Sequence, residues 1–278
     1  MTAGAKGQAH LKRWITGLAA LAVLIACVIA GGGVFSLLAG LGCFACQWEY
    51  ARILRPPGPR PLMQPLELAG YAAGLGVILA AHAGRTDILL AVLSLNVVAC
   101  GLLSLQRFPS DRSVLDAVAR QVQGVCYIPL PLALLILLRS APGGTAWVFL
   151  LCAVIFAGDT AALYAGTLWG RHKLCPAISP GKTVEGALAG LAANLAVGMA
   201  GTSLFLPEVG WAAALAFAVA VGLAGQVGDL FESEWKRASN VKDSGGLLPG
   251  HGGVLDRIDA LLFAAPVAFV LRMTVVSA

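Results

Sequence analysis

Asp229, Glu232, Ser233, Lys236, Arg237 and Asn240 recur at i, i+3, i+4, i+7, i+8 and i+11. On a continuous helix these positions share one face, with the acids first and the bases last. The chain then reads "VKDSGGLLPGHGGVLDRID", residues 241–259, in which five glycines, a proline and a histidine precede Asp256, Arg257 and Asp259. Glycine at that density lets backbone come close to a ligand. Asp229 and Asp256, on two helices joined by this loop, could meet at one cation. Carboxylates with a few waters suit Mg²⁺, which takes one or two of them alongside substrate phosphates. Lysines and arginines around such an ion would neutralise a polyphosphate. The chemistry implied is phosphoryl transfer. A solvated stripe of i,i+4 ion pairs has the same spacing, but this stripe emerges directly from an apolar segment.

A second cluster lies upstream in "RHKLCPAISPGKTVEGALAG". Gly181-Lys182-Thr183 suggests a phosphate-binding P-loop, yet that motif needs glycine five places earlier and the residue is Pro176. What remains is a proline-bounded turn with Lys182, Thr183 and Glu185 at the mouth of a helix, where free N–H groups and a lysine suit a phosphate. An ordinary helix start capped by Ser179 or Thr183 fits equally. Asp159 sits inside the apolar run "VFLLCAVIFAGDTAALYAGTLWG". A carboxylate at mid-membrane costs roughly 2.5–3.5 kcal/mol, so it either bonds a neighbouring helix or lines a polar pocket.

The elements that must position these residues are membrane helices. With 58% hydrophobic residues, only 12% charged and a mean hydropathy of +0.83, the composition excludes a soluble domain. Nine apolar runs, at 15–30, 33–48, 66–84, 87–105, 114–138, 145–169, 183–206, 211–229 and 254–276, are separated by short polar or Gly/Pro-rich joints. The first two could instead form a hairpin that crosses only partly. The eighth run continues as helix past the membrane surface through "QVGDLFESEWKRASN". Between the second and third runs, the prolines of "ARILRPPGPRPLMQP" make a stiff extended joint.

An inner amino terminus puts all of the 19 Lys and Arg residues on inner joints or helix ends except Arg85, Arg139 and Arg272, as the positive-inside tendency requires. The charged loop then faces the cytosol. The seven cysteines, scattered through apolar stretches, read as reduced packing residues. The expectation is an all-α, polytopic integral membrane protein of about nine transmembrane helices with a cytoplasmic amino terminus. It forms a single membrane domain, 1–278, in which 1–140 serve structure or oligomerisation and 141–278 hold the chemistry. No nucleic-acid partner is expected.

"SEWKRASNVKDSGGLLPGHGGVLDRID" resembles the signature of the phosphatidate cytidylyltransferase (CDP-diacylglycerol synthase) family. Ser233, Lys236, Arg237, Lys242, Asp243, Gly245, Pro249, His251, Gly252, Gly253, Asp256, Arg257 and Asp259 fall at the family's spacing. "GDTAALYAGTLWGRHKLCPAISPGKTVEG" is similar to its Asp-containing span and Ile-Ser-Pro-x-Lys-Thr-x-Glu-Gly segment. The resemblance runs the length of the chain and is strongest over its last 125 residues or so. Trp235 departs from an aliphatic residue or Phe, and Gly181 from a common second lysine, which implies one weaker phosphate contact.

The resemblance implies that CTP and phosphatidic acid become CDP-diacylglycerol and pyrophosphate, with Mg²⁺ as cofactor and a second cation left open. It implies Asp229 and Asp256 as metal ligands and Lys236, Arg237, Lys242, Asp243, His251, Arg257 and Asp259 as the catalytic set. Lys182, Thr183, Glu185, Ser233 and Asp159 would bind substrate. A homodimer in a bacterial inner membrane, its active site toward the cytoplasm, completes the expectation. The alternatives are a CTP-dependent polyprenol or phytol kinase, against which the His-Gly-Gly and Asp-Arg-x-Asp ending favours the cytidylyltransferase, and an ion-coupled transporter built on Asp159, which leaves the charged loop unexplained. A CDP-alcohol phosphotransferase would need an Asp-Gly pair, and the chain has none.

Overall fold

A computed structural model describes residues 3–54, 65–247 and 252–276, with side chains from residue 16 to residue 274 within those ranges. The proline-rich joint at 55–64 and His251 lie outside the described residues. Each of the nine apolar runs lies in helix: α1 Ala3–Ala30, α2 Gly32–Ile53, α3 Pro65–His82, α4 Thr86–Arg107, α5 Val114–Tyr127, α6 Pro129–Ser140, α7 Gly144–Trp169, α8 Val184–Phe205, α9 Trp211–Ala238 and α10 Leu255–Val276. Among the described residues, six helical segments are long and apolar enough to cross a membrane: α3, α4, α5 with α6, α7, α8 and α9. Large apolar side chains point outward on them, with Leu105 and Leu204 each 74% exposed. Such surfaces need lipid rather than water around them, so the protein is an integral membrane protein built of α-helices.

Three local features differ from the sequence reading. The run at 114–138 is broken at Ile128 into α5 and α6, because Pro129 has no N–H to give and its ring clashes with the preceding turn. A short antiparallel hairpin interrupts the helices, with β1 at Lys173–Cys175 and β2 at Ser179–Thr183. Pro176 supplies the fixed φ that its turn requires. Helix α9 does run on past the apolar stretch, carrying Asp229 through Arg237 on one helix, but it stops at Ala238. Asn240 lies beyond that end with φ of 55°, in the left-handed conformation asparagine tolerates at helix exits, and so leaves the stripe.

The chain forms two compact units. One comprises residues 1–136 with 241–257, the other 137–240 with 258–278. In the first, polar side chains tie apolar helices together. The Gln47 Nε2 donates to the Gly70 carbonyl at 2.9 Å, the Asn96 and Gln121 amides bond each other, and the Tyr50 hydroxyl donates to the Arg120 carbonyl at 3.1 Å. Gly124 receives the face of Tyr50, and a Cβ there would lie 2.6 Å from the ring.

In the second unit, glycines let helices touch backbone to backbone, the usual device where lipid gives no hydrophobic drive between helices. A Cβ on Gly190 of α8 would lie 2.9 Å from the Gly158 carbonyl of α7, and one on Gly228 of α9 would lie 2.7 Å from the Asp259 carbonyl of α10. The Asn194 side chain, 2% exposed, fills the gap between Gly158 and Gly222. Trp147 packs edge-on against Phe217 with ring centroids 5.2 Å apart.

Candidate functional site

The second unit gathers charges where α7, the hairpin, α9 and α10 come together. Strand β2 delivers Lys182, whose Nζ sits 2.5 Å from the Asp229 carboxylate of α9. Asp229 is 39% exposed and stands close enough to Asp159 and Asp259 for the charges to interact. The close approach at Gly228 brings Asp259 of α10 to that neighbourhood. One turn after Asp229, the buried Glu232 pairs with Lys236. Ser233 is buried beside them. The Asp159 side chain is exposed on α7.

Other residues in this unit hold the framework. Thr183 is the N-cap of α8, its hydroxyl accepting from the Gly186 N–H at 3.1 Å, and it is only 5% exposed. Glu185 turns back to the chain entering the hairpin. Its carboxylate accepts from the backbone N–H groups of Arg171 and His172, at 3.1 and 3.2 Å, and bonds the His172 ring at 2.6 Å. Arg237 Nε donates to the Ile178 carbonyl at 3.1 Å, tying the end of α9 to the hairpin turn. Gly181 faces open space.

The first unit holds the glycine loop. Asp256, in the first turn of α10, takes three donors on one oxygen: the Ser244 N–H at 2.9 Å, the Ser244 hydroxyl at 2.8 Å and the Gly253 N–H at 2.9 Å. Gly252 has φ of +82°, and a Cβ there would come within 3.0 Å of the same carboxylate oxygen. Lys242, Asp243 and Arg257 are exposed around it. Asp229 and Asp256 thus belong to different units, as do Asp256 and Asp259.

Sequence reasoning passed over Glu49. It lies in α2 with no exposed surface, and its carboxylate accepts from the Ser244 hydroxyl and from the N–H groups of Val254 and Leu255. The available signal was weak, an acid at the very end of the second apolar run, where charge is ordinary, unlike Asp159 inside its run.

Among the described residues, no three His, Cys, Asp or Glu side chains cluster as a ready-made metal cage. Asp229, beside Lys182 with Asp159 and Asp259 near it, and Asp256, on the loop, are oxygen donors of the kind that fits Mg²⁺, an ion that completes its shell with water and substrate oxygens.

The fold and its charged groups define a polytopic α-helical membrane protein that gathers acids and bases beside its apolar helices. More narrowly, the chain belongs to the cytidylyltransferase family, whose model matches residues 11–275. It is 32% identical over 267 residues to the phosphatidate cytidylyltransferase of Staphylococcus saprophyticus, covering 95% of this chain and 99% of that one. It is 31% identical over 265 residues to the enzyme of the same name from Staphylococcus aureus, covering 93% and 97%. To that of Brucella suis it is 39% identical over 174 residues, covering 62% of each.

Proposed function

We propose that the protein joins CTP to phosphatidic acid, releasing pyrophosphate and leaving CDP-diacylglycerol in the membrane for phospholipid biosynthesis. The observation that carries this reading is the Lys182–Asp229 contact, a phosphate-seeking cation and a metal-seeking acid side by side in a chain of this family. The named activity of the Staphylococcus relatives supports the choice of lipid.

A phosphate monoester loses its second proton near pH 6, so the lipid phosphate is largely a dianion and needs no strong base. One of its oxygens attacks the α-phosphorus of CTP. The new P–O bond completes the diphosphate of the product, and the bond to the β-phosphate breaks to release pyrophosphate. The obstacle is repulsion between two polyanions, and the protein meets it by positioning and by charge. Lys182, Lys236, Arg237 and Lys242 hold phosphates, while Arg257 and His251 orient or neutralise them. Asp229 and Asp256 would hold Mg²⁺, which when bound neutralises phosphate oxygens. Asp243 and Asp259 steady the basic groups or metal waters. Ser233 contributes to substrate binding, and Thr183 and Glu185 act on it by fixing the hairpin that carries Lys182. Asp159 lines the wall by which the headgroup enters while the acyl chains stay in lipid.

The full reading has nine crossings with the amino terminus inside, the site at the cytoplasmic face of a bacterial inner membrane, and a homodimer as the working state. The sixteen inner Lys and Arg positions support that orientation. The test incubates detergent-purified protein with labelled CTP, Mg²⁺ and phosphatidic acid. Pyrophosphate released only when the lipid is present is the expected result. Label appearing in a phosphorylated alcohol, or ion flux in vesicles without turnover, would overturn the reading.

A further inference from the structure

We propose that Glu49 is a positioning residue for Asp256, holding from α2 the loop that aims that carboxylate; the inference deepens the function above and rests on it. Glu49 is fully enclosed, and its bonds go to the loop and the start of α10. Oε1 accepts from the Val254 N–H at 3.1 Å, and Oε2 accepts from the Leu255 N–H at 2.8 Å and the Ser244 hydroxyl at 3.2 Å. The first N–H groups of a helix have no partner within it, so this acid supplies from a distant helix the acceptor that α10 lacks.

The second link is Ser244. Its hydroxyl lies 2.8 Å from Asp256 and 3.2 Å from Glu49, yet a hydroxyl has one proton to donate. The two carboxylates therefore share it. Turning that proton toward Glu49 leaves a lone pair of Asp256 for a cation, and turning it back holds Asp256 when no cation is near. The glycines record how closely this is built. A Cβ on Gly245 would lie 2.3 Å from Glu49 Oε1, and one on Gly253 would lie 2.0 Å from Ser244 Oγ and 2.6 Å from Glu49 Oε2. No such reason constrains Gly246, which faces open space. A group that only filled space in α2 would make neither demand.

The test compares wild type with Glu49→Gln, Glu49→Asp and Glu49→Ala in detergent, reading Mg²⁺ affinity by calorimetry, amide hydrogen exchange, and turnover. Glu49→Gln is nearly isosteric and decides the matter should Glu49→Ala fail to fold. It is expected to weaken Mg²⁺ affinity by about 10–100-fold and to speed exchange at Val254 and Leu255, leaving exchange in α3–α5 and the KM for phosphatidic acid unchanged. Glu49→Asp, shorter by one methylene, is expected to fall between it and wild type. Unchanged Mg²⁺ affinity overturns the proposal whatever the exchange does, and so does faster exchange spread evenly over α2–α5. If wild type fails to turn over CTP with phosphatidic acid, the proposed function falls, while calorimetry and exchange still decide the role of Glu49.

Discussion

Asp229 in one unit and Asp256 with Glu49 in the other are satisfied in opposite ways. Asp229 rests on a lysine at a half-exposed ion pair, with Asp159 and Asp259 nearby. Asp256 and Glu49 rest on backbone N–H groups and a shared hydroxyl. An accessible ion pair contributes little to stability and exchanges partners readily. A carboxylate held by several fixed donors is costly to disturb. The lysine-paired region therefore suits trading contacts with a substrate, and the loop suits holding one carboxylate still.

The largest effects are expected from the acids themselves. Asp229→Asn and Asp256→Asn should each cut turnover by about 10²–10³-fold or more, the scale of losing a principal electrostatic group. Their stabilities should part: Asp229→Asn leaves thermal unfolding nearly unchanged, whereas Asp256→Asn lowers the midpoint by loosening its three donors. Equal shifts in differential scanning calorimetry would erase the contrast between the regions.

Next comes the backbone of the loop. Gly253→Ala should cost about 1–3 kcal/mol through overpacking against Ser244 and Glu49, and Gly246→Ala should be neutral in the same melting series. Loss of stability in both would mean that the loop is merely intolerant of side chains. For the lysine, Lys182→Gln should raise the KM for CTP by about tenfold, the worth of one charge-assisted phosphate contact, while changing stability by only ~0–1 kcal/mol. Steady-state kinetics at two salt concentrations checks this, because the wild-type advantage should shrink as salt screens it. The smallest effect is expected at Trp235, which stacks edge-on with Phe231 at 5.7 Å. Trp235→Leu should keep activity within a few-fold of wild type in the pyrophosphate assay.

Hydropathy located the helices, since every apolar run falls in helix, one of them in two pieces, and helical spacing placed Asp229, Glu232, Ser233, Lys236 and Arg237 on a single continuous helix. The hairpin was less legible. Its strands are only three and five residues long, too short for an alternation to stand out, and Thr183 was readable as a cap without them. The break at Ile128 follows from Pro129, a signal outweighed by the apolar run around it. Glu49 was the hardest to see, because its partners stand 195 to 206 residues away. Periodicity reports on neighbours along one helix and carries nothing about a bond across that span of chain.

That separation bears on biosynthesis. The ribosome delivers Glu49 with the second helix, and the groups that bond it emerge 195 to 206 residues later. An acid left in hydrocarbon is expensive, so before those groups arrive Glu49 is better placed near the headgroups or water. The bonds of Glu49 can form only once the start of α10 arrives, and a chain cut short before Ser244 would leave that carboxylate without them.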